Sequence, residues 1–336
     1  MTSPNPGTRQ WYDQVQEPII DPDRPIIDPH HHLWRNRGFD YLLEDLWRDT
    51  QSGHNIQKTV FIECSAEYDT NAEDAMQPVG ETRFVAEIAA ESDLGEGPSI
   101  AAIISHANLQ LGDRLEAVLE AHAEAGQGRF RGIRHAGSRD DSGAPLLIPG
   151  RAIPNLYAQA DFRQGMKKLG ELGYTYDTWH YHHQNPAFGE LAKAVEGTTM
   201  ILDHFGTPLG VGHYAEKKAD IFTQWKKDIA KIAEYPNVIA KLGGMAMPDN
   251  GYGWHQRAKP PTSDEFVEAQ KDYYLHTIDC FGPERCMFES NFPVDRFSLS
   301  YSILYNGFKK IVANFTENEK QQMFYATAAR VYQIGD

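Results

Sequence analysis

Residues 26–34, IIDPHHHLW, read as a short buried strand whose carboxyl end carries three histidines behind an Asp-Pro pair. Seven further apolar or β-branched runs follow: TVFIECSA (59–66), SIAAIISHANL (99–109), RFRGIRHAG (129–137), YTYDTWHYHH (174–183), TTMILDHFG (198–206), NVIAKLGG (237–244) and RCMFESNFPVD (285–295). Helix-like segments separate them. Strands alternating with helices pair in parallel through crossovers, and eight such units close a (β/α)8 TIM barrel. The expected fold is a single-domain α/β barrel over residues 26–336, preceded by an extended arm over residues 1–25. A doubly wound sheet is the alternative.

The connecting segments agree. GDRLEAVLEAHAEAG (112–126) sets Leu115, Val118, Leu119 and His122 on one face and stops at a glycine suited to end a helix. In SDEFVEAQKDYYLHTIDCFG (263–282), Ser263 reads as the helix cap, with Asp264 and Glu265 in the first turn favoured by the helix dipole. Two stretches lack periodicity: 137–155 after the fourth strand and 247–263 after the seventh. Both follow strand carboxyl ends, the face where barrel enzymes keep their sites, so they are candidate lids, substrate walls or mobile insertions.

A net charge of −15 repels nucleic-acid phosphates and anionic lipid, and no basic run offsets it. Cys64, Cys280 and Cys286 are scattered and odd in number, which argues against a disulfide framework or a zinc-thiolate site. The N-terminus has neither a basic nor an apolar leader region, and no stretch reaches membrane-spanning length. A cytoplasmic protein with a small-molecule substrate is the expectation, with no nucleic-acid or membrane partner.

Polar residues gather at the ends of the apolar runs. A period of two puts Ile26, Asp28, His30 and His32 on one face of the first strand and His31 on the other, so two imidazoles point into one space and can share a metal ion. His204 ends the sixth strand; His180, His182 and His183 crowd the end of the fifth. Imidazoles at three strand ends favour a functional site over isolated core histidines. Arg134, in GIRHAG, offers a planar fork for a carboxylate or lactone carbonyl, with His135, a further candidate for substrate contact, on the opposite strand face. Glu63 is a charged residue at the end of an apolar run and needs a partner, substrate or ligand. Trp34 and Trp254 are candidate substrate walls, and Trp11, Tyr157 and Tyr252 are further aromatics that could line a planar substrate, form a satellite core or support a homodimer.

IIDPHHHLW, RGIRH, ILDHFGTP and RCMFESNFPVD together resemble segments of the amidohydrolase superfamily, specifically the amidohydrolase-related branch with sugar lactonases, pyrone-dicarboxylate hydrolases and metal-dependent decarboxylases. The resemblance spans residues 26 to about 333 and implies a barrel with its site at the strand carboxyl ends. It also implies that His30 and His32 are the first-strand metal pair and His204 the sixth-strand histidine, holding zinc or manganese. Spacing does not choose between His180 and His183 for the fifth strand. Most relatives have an aspartate where this chain has Asn291, and a neutral amide cannot act as a base near pH 7. The substitutes are Glu289, deeper on the same face; Asp295, which also suits a helix cap; and a histidine, His204 or His180. Losing that acid also leaves a metal-independent enzyme open. Three functions follow: hydrolysis of a lactone or related cyclic ester or amide in a small carboxylated or aromatic metabolite, non-oxidative decarboxylation of an aromatic or unsaturated acid, or a catalytically impaired barrel that binds a metabolite.

Overall fold

Eight parallel strands follow one another in chain order around a single sheet: β1 (Ile26–His31), β2 (Ile56–Ile62), β3 (Ser99–Ser105), β4 (Phe130–Arg134), β5 (Thr175–Thr178), β6 (Met200–Leu202), β7 (Val238–Leu242) and β8 (Cys286–Phe288). Each coincides with a run expected to be a strand, β2 beginning three residues before the expected Thr59. The computed structural model describes residues 5–335; the first four residues of the expected arm and Asp336 lie outside the described residues. The seam between β8 and β1 is no regular ladder. It closes through His32 N–H donating to the Phe292 carbonyl (2.8 Å) and Asn291 N–H donating to the His30 carbonyl (3.0 Å).

Helices α1 (Arg9–Tyr12), α2 (Leu43–Thr50), α3 (Val79–Ser92), α4 (Leu115–Ala125), α5 (Ala160–Glu171), α6 (Asn185–Ala194), α7 (Lys218–Ala233), α8 (Ser263–Phe281), α9 (Tyr301–Ile311), α10 (Glu317–Gln321) and α11 (Thr327–Val331) complete the chain. Helix α4 buries Leu115, Val118, Leu119 and His122, the face read from its periodicity. Helix α8 is capped one residue earlier than expected. The Thr262 hydroxyl accepts from Glu265 N–H while the Glu265 carboxylate accepts from Thr262 N–H, a reciprocal pair that needs a glutamate three residues on. Counting from Ser263, that position is Phe266; Ser263 instead donates its N–H to Glu17 of the arm (2.9 Å). The arm is not wholly extended: α1 buries Trp11, whose indole donates to the Arg257 carbonyl (3.0 Å).

Inside the barrel, Ile27, Val60, Ile62, Ala102, Ile104, Ile201, Ile239 and Met287 form one cluster with Ala328, Val331 and Tyr332, so the C-terminal segment plugs the amino end. Strict alternation from His30 would have put Ile26 and Asp28 inside. Both face outward, Ile26 into the strand–helix core and Asp28 as acceptor for Ser290 N–H and the Tyr301 hydroxyl (2.9 Å each). Between Asp28 and His31 the ladder to Thr59 and Phe61 carries one extra residue in β1. That bulge spans Pro29, which has no N–H for a ladder, and returns His30 and His32 to the interior.

Both aperiodic segments lie at the carboxyl end. Leu147 and Ile148 of the first donate their N–H groups to Asp249 of the second (2.7 and 3.0 Å), which pins the first loop across the barrel mouth.

Candidate active site

A cavity of about 680 Å³ opens at the carboxyl ends of the strands, walled by Trp34, Trp179 and residues 147–149, 151 and 152 of the first long loop. Its floor carries His32, Glu63, Arg134, His204 and Asn291, drawn from the ends of five strands. Directly below, with no exposed surface, lie His30, Asp177, Asp203, Lys241 and Glu289.

The imidazoles are oriented by their second nitrogens. His32 Nδ1–H donates to the Ile62 carbonyl (2.8 Å), leaving Nε2 as an acceptor 3.3 Å from His30 Nε2. His204 Nδ1 pairs with Glu289 Oε1 at 2.6 Å, and His30 Nδ1 lies 2.6 Å from Glu289 Oε2. One carboxylate therefore hydrogen-bonds His204 and makes a close contact with His30. The backbone of His204 is held at φ 53°, a left-handed conformation uncommon away from glycine and often found where function demands it.

Arg134 is fixed by Glu63 through Nε to Oε1 (2.8 Å) and through Nη2 to the Glu63 carbonyl, and its Nη1 lies 3.4 Å from His30 Nε2 and 3.6 Å from Asp203. It is thus a positioned charge on the floor and not a free anchor for an anion. Lys241, Asp177 and Asp203 were not picked out from sequence. Lys241 points inward two residues after Ile239, with its ammonium 2.7 Å from Asp177 and 3.2 Å from Asp203. The signal that singled out Glu63, a charged residue in an apolar strand, applies equally to Lys241 and Asp177.

The other expected site residues are divided. Trp34 and His135 line the cavity. His180 is buried behind the wall with Nε2 on Asn185 Oδ1 (2.8 Å), and His183 is exposed with Nε2 on the Arg139 carbonyl (3.0 Å). The chain leaves the strand path at Thr178, so the inward fifth-strand group is Asp177. Trp254 stacks on Tyr252 (4.9 Å between rings) and packs toward Phe266, away from the cavity. Asn291 sits at φ 55°, which asparagine tolerates well, and its side-chain amide donates to Asp295 Oδ1 (2.9 Å). Asp295 is fully buried behind it, with Oδ2 accepting Ala246 N–H (3.2 Å). It does not reach the cavity, and the cap of α9 is Ser300.

Burial dominates the titration of this cluster. It pushes Glu289 up to about 8 and Asp203 up to about 7, against the pull of Lys241, and it pushes the His204 imidazole down to about 3. The group resists carrying its own charges. Four acidic side chains (Glu63, Asp177, Asp203, Glu289) face two cations (Arg134, Lys241), and Glu289 Oε2 and both Asp203 oxygens lack a hydrogen-bonding partner. His30, His204 and Glu289 each offer a ligand atom within 4.8 Å of the others. A nitrogen–oxygen donor set with two more acidic than basic groups and unsatisfied carboxylate oxygens fits one divalent cation.

Comparison with known proteins agrees with this geometry. The family model described as "Amidohydrolase" matches residues 27–334. The uncharacterized protein y4mH of Sinorhizobium fredii is 29% identical over 335 residues, covering 93% of this chain and 99% of that protein. An L-fucono-1,5-lactonase of Burkholderia multivorans is 24% identical over 326 residues, covering 92% and 96%. The crystal structure of a Burkholderia multivorans amidohydrolase with bound zinc has a TM-score of 0.72 at 22% identity, over 92% of this chain and 99% of that one, a likeness of fold. A barrel with its polar cluster at the strand carboxyl ends, matched by the family model from Ile27 to Ile334, is therefore a hydrolase of the amidohydrolase family.

Proposed function

We propose that this chain opens a lactone ring in a small metabolite. The observation that carries the reading is the stacking of two layers: His30, His204 and Glu289 within ligand distance of one another, directly beneath a floor that presents Arg134 and Glu63 to one small cavity. The lactonase relative supports the same class.

His30, His204 and Glu289 would hold a divalent ion, zinc or manganese, with His32 Nε2 adjacent. When bound, such an ion supplies polarisation of the carbonyl and a more acidic water. The chain's own groups do the rest. Glu63 is the only carboxylate among the described residues that lines the cavity, and its Oε1 is engaged by Arg134. Its Oε2 takes the proton of the attacking water. The Arg134 guanidinium, held in place before substrate arrives, faces the oxygen that gains charge and needs no reorganisation. Trp34 and Trp179 flank the ring. Ring opening keeps the leaving alkoxide tethered, and a strained ester needs less assistance than an amide, so Asn291 in place of an acid is compatible with turnover.

The test is a panel of sugar and aromatic lactones, followed by proton release in weak buffer, with protein reconstituted with zinc or manganese and with chelated protein. Acid release from at least one lactone by the reconstituted protein is expected. No turnover by folded, metal-loaded protein, or carbon dioxide release from an aromatic acid without lactone hydrolysis, would replace this reading.

A further inference from the structure

Lys241 is a fully buried ammonium that no step of the proposed hydrolysis uses. It does not line the cavity, so it is no nucleophile toward a bound substrate. Its ammonium donates to Asp177 Oδ1 at 2.7 Å and stands 3.2 Å from Asp203 Oδ1 and 3.3 Å from His30 Nδ1. Glu289 Oε2 follows at 4.0 Å. On the side toward the plugged end of the barrel, the Tyr332 ring lies 5.6 Å from the ammonium, and the Tyr332 hydroxyl donates to the same Asp177 oxygen (2.7 Å). Three carboxylates and an imidazole around one point are the hard, nitrogen-and-oxygen donor set that divalent metals select. Here that point is filled by a side chain.

We propose that Lys241 is a resident cation: its ammonium holds, by covalent attachment, the position a metal ion would otherwise take among Asp177, Asp203, Glu289 and His30, and the C-terminal segment secures it there through Tyr332. The physical reason is charge. Removing the ammonium from a dry interior leaves three carboxylates within about 4 Å of its position, an arrangement that persists only if another cation enters or protons do. The consequence is a site that takes one exchangeable ion fewer than its ligands would allow. The inference concerns the same cluster as the proposed hydrolysis, but its test is a difference between proteins and is separable from whether the enzyme turns over.

Wild type, K241A and K241N are prepared without a histidine tag, chelated, dialysed against manganese chloride and then against metal-free buffer. Manganese per chain is measured by elemental mass spectrometry, with folding followed by circular dichroism and spin coupling by electron paramagnetic resonance. Alanine opens the space, and asparagine opens it while adding an oxygen donor. Each variant is expected to hold one manganese more than wild type, and where wild type holds one, the variant's pair is expected to be exchange-coupled. A wild type with none and variants with one would sustain the resident cation while removing the metal from the proposed hydrolysis. Two ions per wild-type chain, folded variants with the wild-type count, or variants that fail to fold even with manganese present would each overturn it.

Discussion

Replacing Glu289 by glutamine changes one atom and tests the centre of the site. The carboxylate contacts His204 Nδ1 and His30 Nδ1 at 2.6 Å each. A glutamine oxygen can still accept from His204 Nδ1–H, but without the charge, and its NH₂ then replaces the oxygen that contacts His30. A hydrogen bond involving a charged group contributes about 1.5–3 kcal/mol, which sets the scale of the loss at His204, with the close His30 contact weakened besides. If that loss falls on the transition state, kcat/KM falls by roughly one to two orders of magnitude. Stability should suffer less, because burial already disfavours the ionised carboxyl, pushing it up to about 8, and the neutral amide escapes that desolvation while leaving no cavity. The assay is initial-rate lactone opening by pH indicator, with metal content and thermal unfolding measured on the same preparations. E289Q with rates within threefold of wild type and unchanged metal content would refute the assignment of Glu289 as the group that organises both histidines.

Other outcomes follow from the same contacts. R134K cannot reproduce the two-point grip on Glu63 and leaves a buried carboxylate poorly paired, so it should lose about 3–5 kcal/mol of stability along with activity; thermal unfolding equal to wild type would contradict this. D249A releases the N–H groups of Leu147 and Ile148 and should raise KM by about tenfold, one to two kcal/mol of loop ordering, with a smaller change in kcat; steady-state kinetics decide it. The pH dependence of the chelated protein has a defined sign. Glu81 and Glu289, raised to about 8, and Asp203, raised to about 7, stay protonated in the folded state where the unfolded chain has released those protons. Their contribution is fully present below the unfolded values and is lost as pH rises through the folded ones. Below about 6.5 the buried neutral histidines, among them His54 and His122 at about 4, act in the opposite direction. The clean window is about pH 6.5 to 7.5, below the point where Lys309, lowered to about 8, begins to act the other way; there the unfolding temperature of chelated protein should fall and zinc should flatten the decline, and a flat profile without metal would remove the basis for it.

The barrel was legible because a parallel strand buried on both faces is written as a short apolar run, and each of the eight is bounded by polar or glycine-rich sequence. Within those runs the alternation of inward and outward residues holds only while the strand continues. It failed at Pro29, where a bulge shifts the phase, and beyond Thr178 and Phe288, which is why His180, His183 and Asp295 lie outside the cavity. His30, His32, His204, Glu63 and Arg134 were visible by residue type. Lys241, Asp177 and Asp203 were just as exceptional in their strands but carry no motif of their own, and their meaning appears only when strands distant in sequence are brought together. Aromatics depend on loop paths: Trp34 and Trp179 reach the cavity, whereas Trp254 turns into the core, and no periodicity distinguishes them.

The seam of the barrel gives the site a second office. The first and last strands of the ring are fastened by backbone bonds from His30 and His32 to Asn291 and Phe292, the same short segments that furnish the floor. An occupant spanning His30 and Glu289 is therefore a buckle between the two ends of a circular wall, and its free energy of binding is added to the closure of the whole ring. A ligand at one hundred times its dissociation constant contributes about 2.7 kcal/mol to the folded state. That contribution would be felt along every strand, since a ring opened at one joint is loosened throughout, and protection of backbone amides far from the cavity should rise when the floor is filled.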